Sequence, residues 1–253
     1  MTYLTLSLTL LFVLIPLLIA HSLKLGIEKD MLIATVRSIV QLLVVGYLLQ
    51  FVFDQDHPLF MLLMIALIIA AATHNASKKG LKIKGVTWKL IVTYTTIEVL
   101  TQSILLGLAI IPATPQYIIP ISGMVVGNAM VLSILFLNRF IAEVEDKENQ
   151  IELILSLGGT PKQAIHRQLI TAIKTSTIPT IENQKTMGLV QLPGMMSGQI
   201  IAGADPIQAV QFQLIIIFIL LTTAVLTSVM LGFLSYPTLF NKQMQLEKHI
   251  LRE

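Results

Sequence analysis

AVQFQLIIIFILLTTAVLTSVMLGFLSY, residues 209–236, carries no charged side chain over its whole length. A helix needs about 20 mostly apolar residues to cross the hydrocarbon of a bilayer, and this run has length to spare. It reads as a membrane span. Six further runs can be read in the same way, at 3–20, 31–53, 58–73, 90–111, 117–137 and 187–202. The expectation is therefore an all-α polytopic bundle of seven transmembrane helices, residues 1–253 forming a single transmembrane domain. The run at 187–202 is the weakest, because Gln191, Pro193, Gly194 and Gly198 could make it kinked or partly re-entrant.

Composition supports the membrane class: 55% of residues are hydrophobic and only 12% are charged. Cysteine is absent, which excludes disulfides, thiolate metal sites and cysteine nucleophiles. A net charge of +3 is too small to suggest nucleic-acid binding. The first run has no basic n-region and no small-x-small cleavage pattern after it, so it reads as a retained span and not as a signal peptide.

Orientation follows from the lysines, because basic loops stay on the cytoplasmic side. Lys78, Lys79, Lys82, Lys84 and Lys89 cluster between the third and fourth runs, whereas the segments at 54–57, 113–116 and 205–208 have no lysine or arginine. This predicts an outside N-terminus and a cytoplasmic C-terminal tail bearing Lys242, Lys248 and Arg252, in a multi-pass protein of the inner or plasma membrane surrounded by lipid.

The longest polar region, 139–185, falls on the cytoplasmic side and reads as a helix-turn-helix over 141–185. Ile151, Ile154 and Leu155 have helical spacing, and Gly158 and Gly159 can end that helix in a left-handed cap. Thr160 is a good N-cap, Pro161 suits the first helical position and Gln163 completes a capping box. The second helix is expected to reach about Thr175, with Ile165, Leu169, Ala172 and Ile173 on one face and Lys162, His166 and Arg167 open to water or a partner. Such an elbow could receive a push from a soluble motor, or simply lie on the headgroups.

The chain has no phosphate-binding loop: Gly80 to Gly85 is followed by Val86 and Thr87 and lacks the lysine. Any ATP must be hydrolysed by another subunit, so this chain is not expected to be an enzyme or to bind a cofactor.

Ionisable groups inside apolar runs are costly and mark candidate routes. Arg37 with Gln41, and Glu98 with Gln102, each share a helix face at i,i+4 spacing. Arg37 could pair with Glu98 or could snorkel to the headgroups. Gly123/Gly127 and Gly194/Gly198 could pack helices closely, or the fifth and sixth runs could line the route through Asn128, Gln191, Ser197 and Gln199 with Pro193 as a hinge. Met195 and Met196 could offer a soft ion a passing contact, or serve as adaptable packing. The five histidines form no cluster, so no bound metal is expected.

Four stretches taken together, VRSIVQLLVVGYLL (36–49), PISGMVVGNAM (120–130), SLGGTPKQA (156–164) and KTMGLVQLPGMMSGQIIAGADPIQAVQFQ (185–213), resemble the FetB-type permeases. These are membrane subunits of a bacterial iron-export ABC transporter, with plant relatives linked to aluminium tolerance. The resemblance implies a separate ABC-type ATP-binding subunit, a permease homodimer and a metal ion as substrate. It also implies that Leu157, Gly158, Gly159, Thr160 and Pro161, with Gln163, His166 and Arg167 beside them, form the coupling loop. The alternative is a proton- or ion-coupled carrier that uses Arg37 and Glu98.

Overall fold

The structure is a computed structural model that describes residues 11–55, 57–78, 83–241 and 243–247. The protein is a polytopic all-helical membrane bundle: helices account for the regular structure among the described residues, apart from two isolated bridges. The chain forms two compact units, residues 1–57 and 58–253.

The first unit contains α1 (Leu11–Ser22) and α2 (Glu28–Gln55). The chain leaves α1 through Lys24 in the left-handed region, with the Leu25 N–H on the Ala20 carbonyl and the Lys24 N–H on His21. This closes the helix by the Schellman pattern. Glu28 and Asp30 then stand at the positive end of α2. Apolar residues such as Leu42, Leu43 and Tyr47 are exposed along α2, as expected of a helix solvated by lipid.

The second unit holds α3 (Pro58–Ser77), α4 (Val86–Gly107), α5 (Pro115–Asp146), α6 (Glu148–Ser156), α7 (Pro161–Thr186), α8 (Gly194–Ile201), α9 (Pro206–Ser235) and a 3-10 turn, Tyr236–Leu239. Its centre is α5, which packs against α3, α4, α7 and α9. Ile121, Val125, Ala129, Phe136, Phe140 and Val144 recur on the buried face of α5 at four- and seven-residue intervals. Helices α5 and α9 run in the same direction: Tyr117 meets Phe212 with ring centroids 5.8 Å apart, Asn128 donates to the Leu220 carbonyl at 3.2 Å, and Phe136 lies beside Gly232.

Helix α7 runs the opposite way. Leu169 abuts Gly232, the Ser176 and Ser228 hydroxyls are 2.9 Å apart, and Gln184 Nε2 donates to the Ile217 carbonyl at 2.9 Å. A Cβ at Gly232 would fall 2.6 Å from Leu169 Cδ1 and 3.2 Å from Phe136 Cζ, so glycine lets three helices meet. Gly232→Val should destabilise the bundle by about 1–3 kcal/mol through overpacking. Gly232→Ala should cost less, because the end of Leu169 can rotate away. Thermal unfolding of both variants in detergent checks the order.

Five helices among the described residues are long and apolar enough to cross a membrane: α2, α3, α4, α5 and the segment Pro206–Leu239. They correspond to the predicted second, third, fourth, fifth and seventh runs. Residues 3–10 of the first run lie outside the described residues, and α1 supplies the rest. The run at 187–202 is not a straight span: only Gly194–Ile201 is helical, a length of about 12 Å. Its glycines and proline favour turns, and that local preference prevails over the apolar composition. The helix predicted to stop near Thr175 continues to Thr186. Packing against α9 carries it through the β-branched and proline-containing stretch that signals an end.

Candidate functional site

Two places in the second unit gather the polar groups of interest. The first is inside the bundle. Glu98 projects from α4 into the contact with α5 and is only 4% exposed, while Ser122 on α5 is fully buried. Glu98 Oε1 accepts hydrogen bonds from the Ser122 hydroxyl and from Gln102 Nε2, the latter at 2.9 Å. Gln102 Nε2 also lies 3.0 Å from Ser122 Oγ, closing a three-residue network. The predicted i,i+4 pairing of Glu98 and Gln102 is present. Ser122 was not singled out, because its partner is 24 positions away and only the helix pairing brings the two together.

Two acceptor oxygens of this network, Glu98 Oε2 and Gln102 Oε1, are buried with no hydrogen-bond partner among the described residues. Gln213 Oε1 on α9, the residue next to Phe212, shares this condition. Carboxylate and amide oxygens are hard ligands that suit a hydrated or partly dehydrated cation. No group of three or more His, Cys, Asp or Glu residues able to hold a metal occurs among the described residues.

The remaining pathway candidates are dispersed. Asn128 is engaged with the Leu220 carbonyl and helps to tie α5 to α9. Pro193 is the N-cap of α8, Met195 packs against the core, and Met196, Ser197 and Gln199 are half-buried on α8, with Gln191 exposed just before it. Arg37 and Gln41 are exposed on α2 in the first unit. A Cβ at Gly123, Gly127, Gly194 or Gly198 would meet no atom of the described residues within 4 Å, so close packing against the described helices does not account for either glycine pair.

The second place is the elbow between α6 and α7. Gly158 has φ 87°, and the Gly158 and Gly159 N–H groups bond to the Leu155 and Ile154 carbonyls at 3.0 and 2.9 Å. The two glycines are needed for different reasons. Gly158 takes the left-handed conformation, whereas a Cβ on Gly159 would lie 2.6 Å from Ile154 Cγ2 and 2.8 Å from the Ile154 carbonyl oxygen. The capping box then restarts the chain as a helix: the Thr160 N–H donates to Gln163 Oε1 at 2.9 Å and the Gln163 N–H to Thr160 Oγ1 at 3.4 Å.

Ile165, Leu169 and Ala172 are buried on the inner face of α7, and Lys162, His166 and Arg167 are exposed on the outer one. Leu157 is 80% exposed at the tip, where its neighbour Pro161 begins the next helix. The C-terminal tail supplies an unforeseen wall. Gln243, Met244, Gln245 and Leu246 face Glu152, Leu155, Gly158 and Gly159 across a groove of about 730 Å³. The tail is held by a Lys84–Glu247 ion pair and by Lys89 Nζ donating to Thr238 Oγ1 at 2.7 Å.

A family model described as "Uncharacterised protein family (UPF0014)" matches residues 3–240. The chain is 56% identical over 249 residues to "UPF0014 membrane protein YjkA" of Bacillus subtilis (strain 168), covering 98% of this chain and 100% of the relative. It is 39% identical over 242 residues to "Probable iron export permease protein FetB" of Escherichia coli (strain K12), covering 96% and 93% respectively. It is 33% identical over 244 residues to "Protein ALUMINUM SENSITIVE 3" of Arabidopsis thaliana, covering 95% and 88%. No solved structure matches the chain.

Proposed function

Because the chain belongs to the UPF0014 family and is a multi-pass membrane permease, we propose that it is the membrane-spanning subunit of an ABC transporter. In this reading it exports iron or a related metal species, and a separate ATP-binding subunit hydrolyses the ATP. The observation that carries the reading is the elbow. Gly158 and Gly159 turn the chain through a tight, capped corner that presents an exposed leucine, beside a groove large enough to seat part of another protein. A rigid corner transmits a push, whereas a floppy loop would absorb it.

Two permease copies with two ATP-binding subunits make up the complex in this reading. Glu98, Gln102 and Ser122 supply the hard oxygen ligands that a metal cation meets on its way through. Co-expression with the candidate ATPase and reconstitution into vesicles tests the assignment. The two proteins should co-purify, and iron salts should raise ATP hydrolysis several-fold. Transport driven by a proton gradient in vesicles that hold this chain alone would instead establish an ion-coupled carrier using the buried Glu98.

A further inference from the structure

Helix α7 does not end at the edge of the bundle. Its Gln184 bonds to the carbonyl of Ile217, which lies about 16 Å along α9 from its first residue and about 27 Å from its last at 1.5 Å per residue. Glu98 sits at a similar depth. Its partner Ser122 lies on α5 between Tyr117, which meets Phe212, and Asn128, which meets Leu220, so the level of Ser122 on α9 is bracketed by 212 and 220.

At this depth the helix comes apart. The N–H groups of Leu189, Val190 and Gln191 all turn back on the Thr186 carbonyl, at 3.3, 3.0 and 3.5 Å, and Gly188 takes φ 86°. Leu189 and Val190 are 91% and 84% exposed. Helical structure resumes as α8, which packs on α9 and turns through Gly203 into the start of that helix. Non-helical backbone is tolerated at membrane depth only where protein buries it or where it lines water, since lipid cannot satisfy its polar groups.

The exposed face of α7 points the same way. Exposed Arg167, Lys174, Ile178, Glu182 and Lys185, with half-buried Thr171 among them, recur at three- and four-residue intervals and so share one side of the helix, opposite the buried Ala172 and Ser176. Glu182 and Lys185 pair at 2.7 Å, and no ion-pair partner of Lys174 occurs among the described residues. Charged groups are expensive against hydrocarbon and lie on the protein or water side of a span.

We propose that α7 and α8 form one broken transmembrane element, and that its unwound joint at 187–193 and the Lys174–Glu182–Lys185 stripe line a water-filled path that reaches the depth of Glu98. The path as a transport route rests on the permease reading above. The broken element also supplies the return crossing that the common direction of α5 and α9 requires between them, with the elbow at one membrane face and Asp205 at the other.

The chain has no cysteine, so each introduced thiol is the sole target of a maleimide. Ile178→Cys on the stripe and Val190→Cys in the joint are compared with Phe218→Cys, an exposed apolar position on α9. A thiol must ionise in water to react, so a charged, membrane-impermeant maleimide should modify positions 178 and 190 about tenfold or more faster than 218. In sealed vesicles Lys162→Cys and Ala204→Cys should label from opposite sides. Equal, slow reaction at 178, 190 and 218 would show a dry, lipid-facing surface and overturn the path. Labelling of 162 and 204 from the same side would overturn the crossing. Hydrated thiols at 178 and 190 in a chain that fails to associate with any ATPase would keep the broken element and remove only the ABC reading.

Discussion

Gly159→Ala should sever most of the coupling between the permease and the ATP-binding subunit proposed for it, and Gly159→Trp should abolish it, while both chains still insert in the membrane. The reason is a collision with backbone. A methyl at this position would lie 2.8 Å from the Ile154 carbonyl oxygen, which no rotamer change can relieve, and 2.6 Å from the Ile154 side chain. The corner must open, moving Leu157 and the start of α7. Loss of only about 1.4 kcal/mol of docking energy is tenfold in association. Gly158→Ala makes the comparison, since a Cβ there meets open space and the cost is the left-handed backbone alone, about 1–2 kcal/mol. The expected order of ATPase recovered on the affinity-purified permease is wild type, then Gly158→Ala, then Gly159→Ala, with Gly159→Trp recovering none. Full recovery with Gly159→Trp would remove the elbow from the docking surface.

Glu98→Gln should stop transport, by about a hundredfold, without unfolding the bundle; that factor corresponds to about 2.7 kcal/mol. Glutamine keeps the size of the side chain and an acceptor oxygen for Ser122 and Gln102, but removes the carboxylate that a cation would meet. Glu98→Ala should add a stability defect of about 1–3 kcal/mol, because the buried Ser122 hydroxyl and Gln102 amide lose their acceptor. Reading transport and thermal unfolding together on the two variants separates the roles. If Glu98→Gln transported metal at the wild-type rate, the carboxylate would be a packing element of the α4–α5 contact and nothing more.

Local features of this chain were legible in its sequence, and features set by distant partners were not. The capping box at Thr160 and Gln163 needs only four consecutive residues, and it is found where the sequence puts it. The i,i+4 pair Glu98 and Gln102 was equally visible. Ser122 and Gln213 were not, because nothing local distinguishes them from the other serines and glutamines of the apolar runs until a neighbouring helix is placed against them.

The same limit explains the extent of α7. Thr175 to Thr186 is polar, β-branched and interrupted by Pro179, so hydropathy assigns it to water, yet Ser176 and Gln184 bond directly to α9. In the opposite sense, the apolar run at 187–202 satisfied a length criterion for a span, but its glycines and Pro193 permit only eight residues of helix. Composition registers how much of a segment is apolar. It does not register whether the backbone can stay helical across it.

The tail that walls the elbow groove has a practical bearing on how this protein is handled. Gln243 to Leu246 stand directly opposite Gly158 and Gly159 and are pinned there through Glu247. An affinity handle or fluorescent reporter fused close behind Glu247 therefore begins near that groove, where its bulk competes for the space a motor protein would fill. Fusions placed instead in the solvent-facing turn between α4 and α5 leave that space clear, and a loss of ATPase recovery seen only with C-terminal fusions would be the signature of such interference.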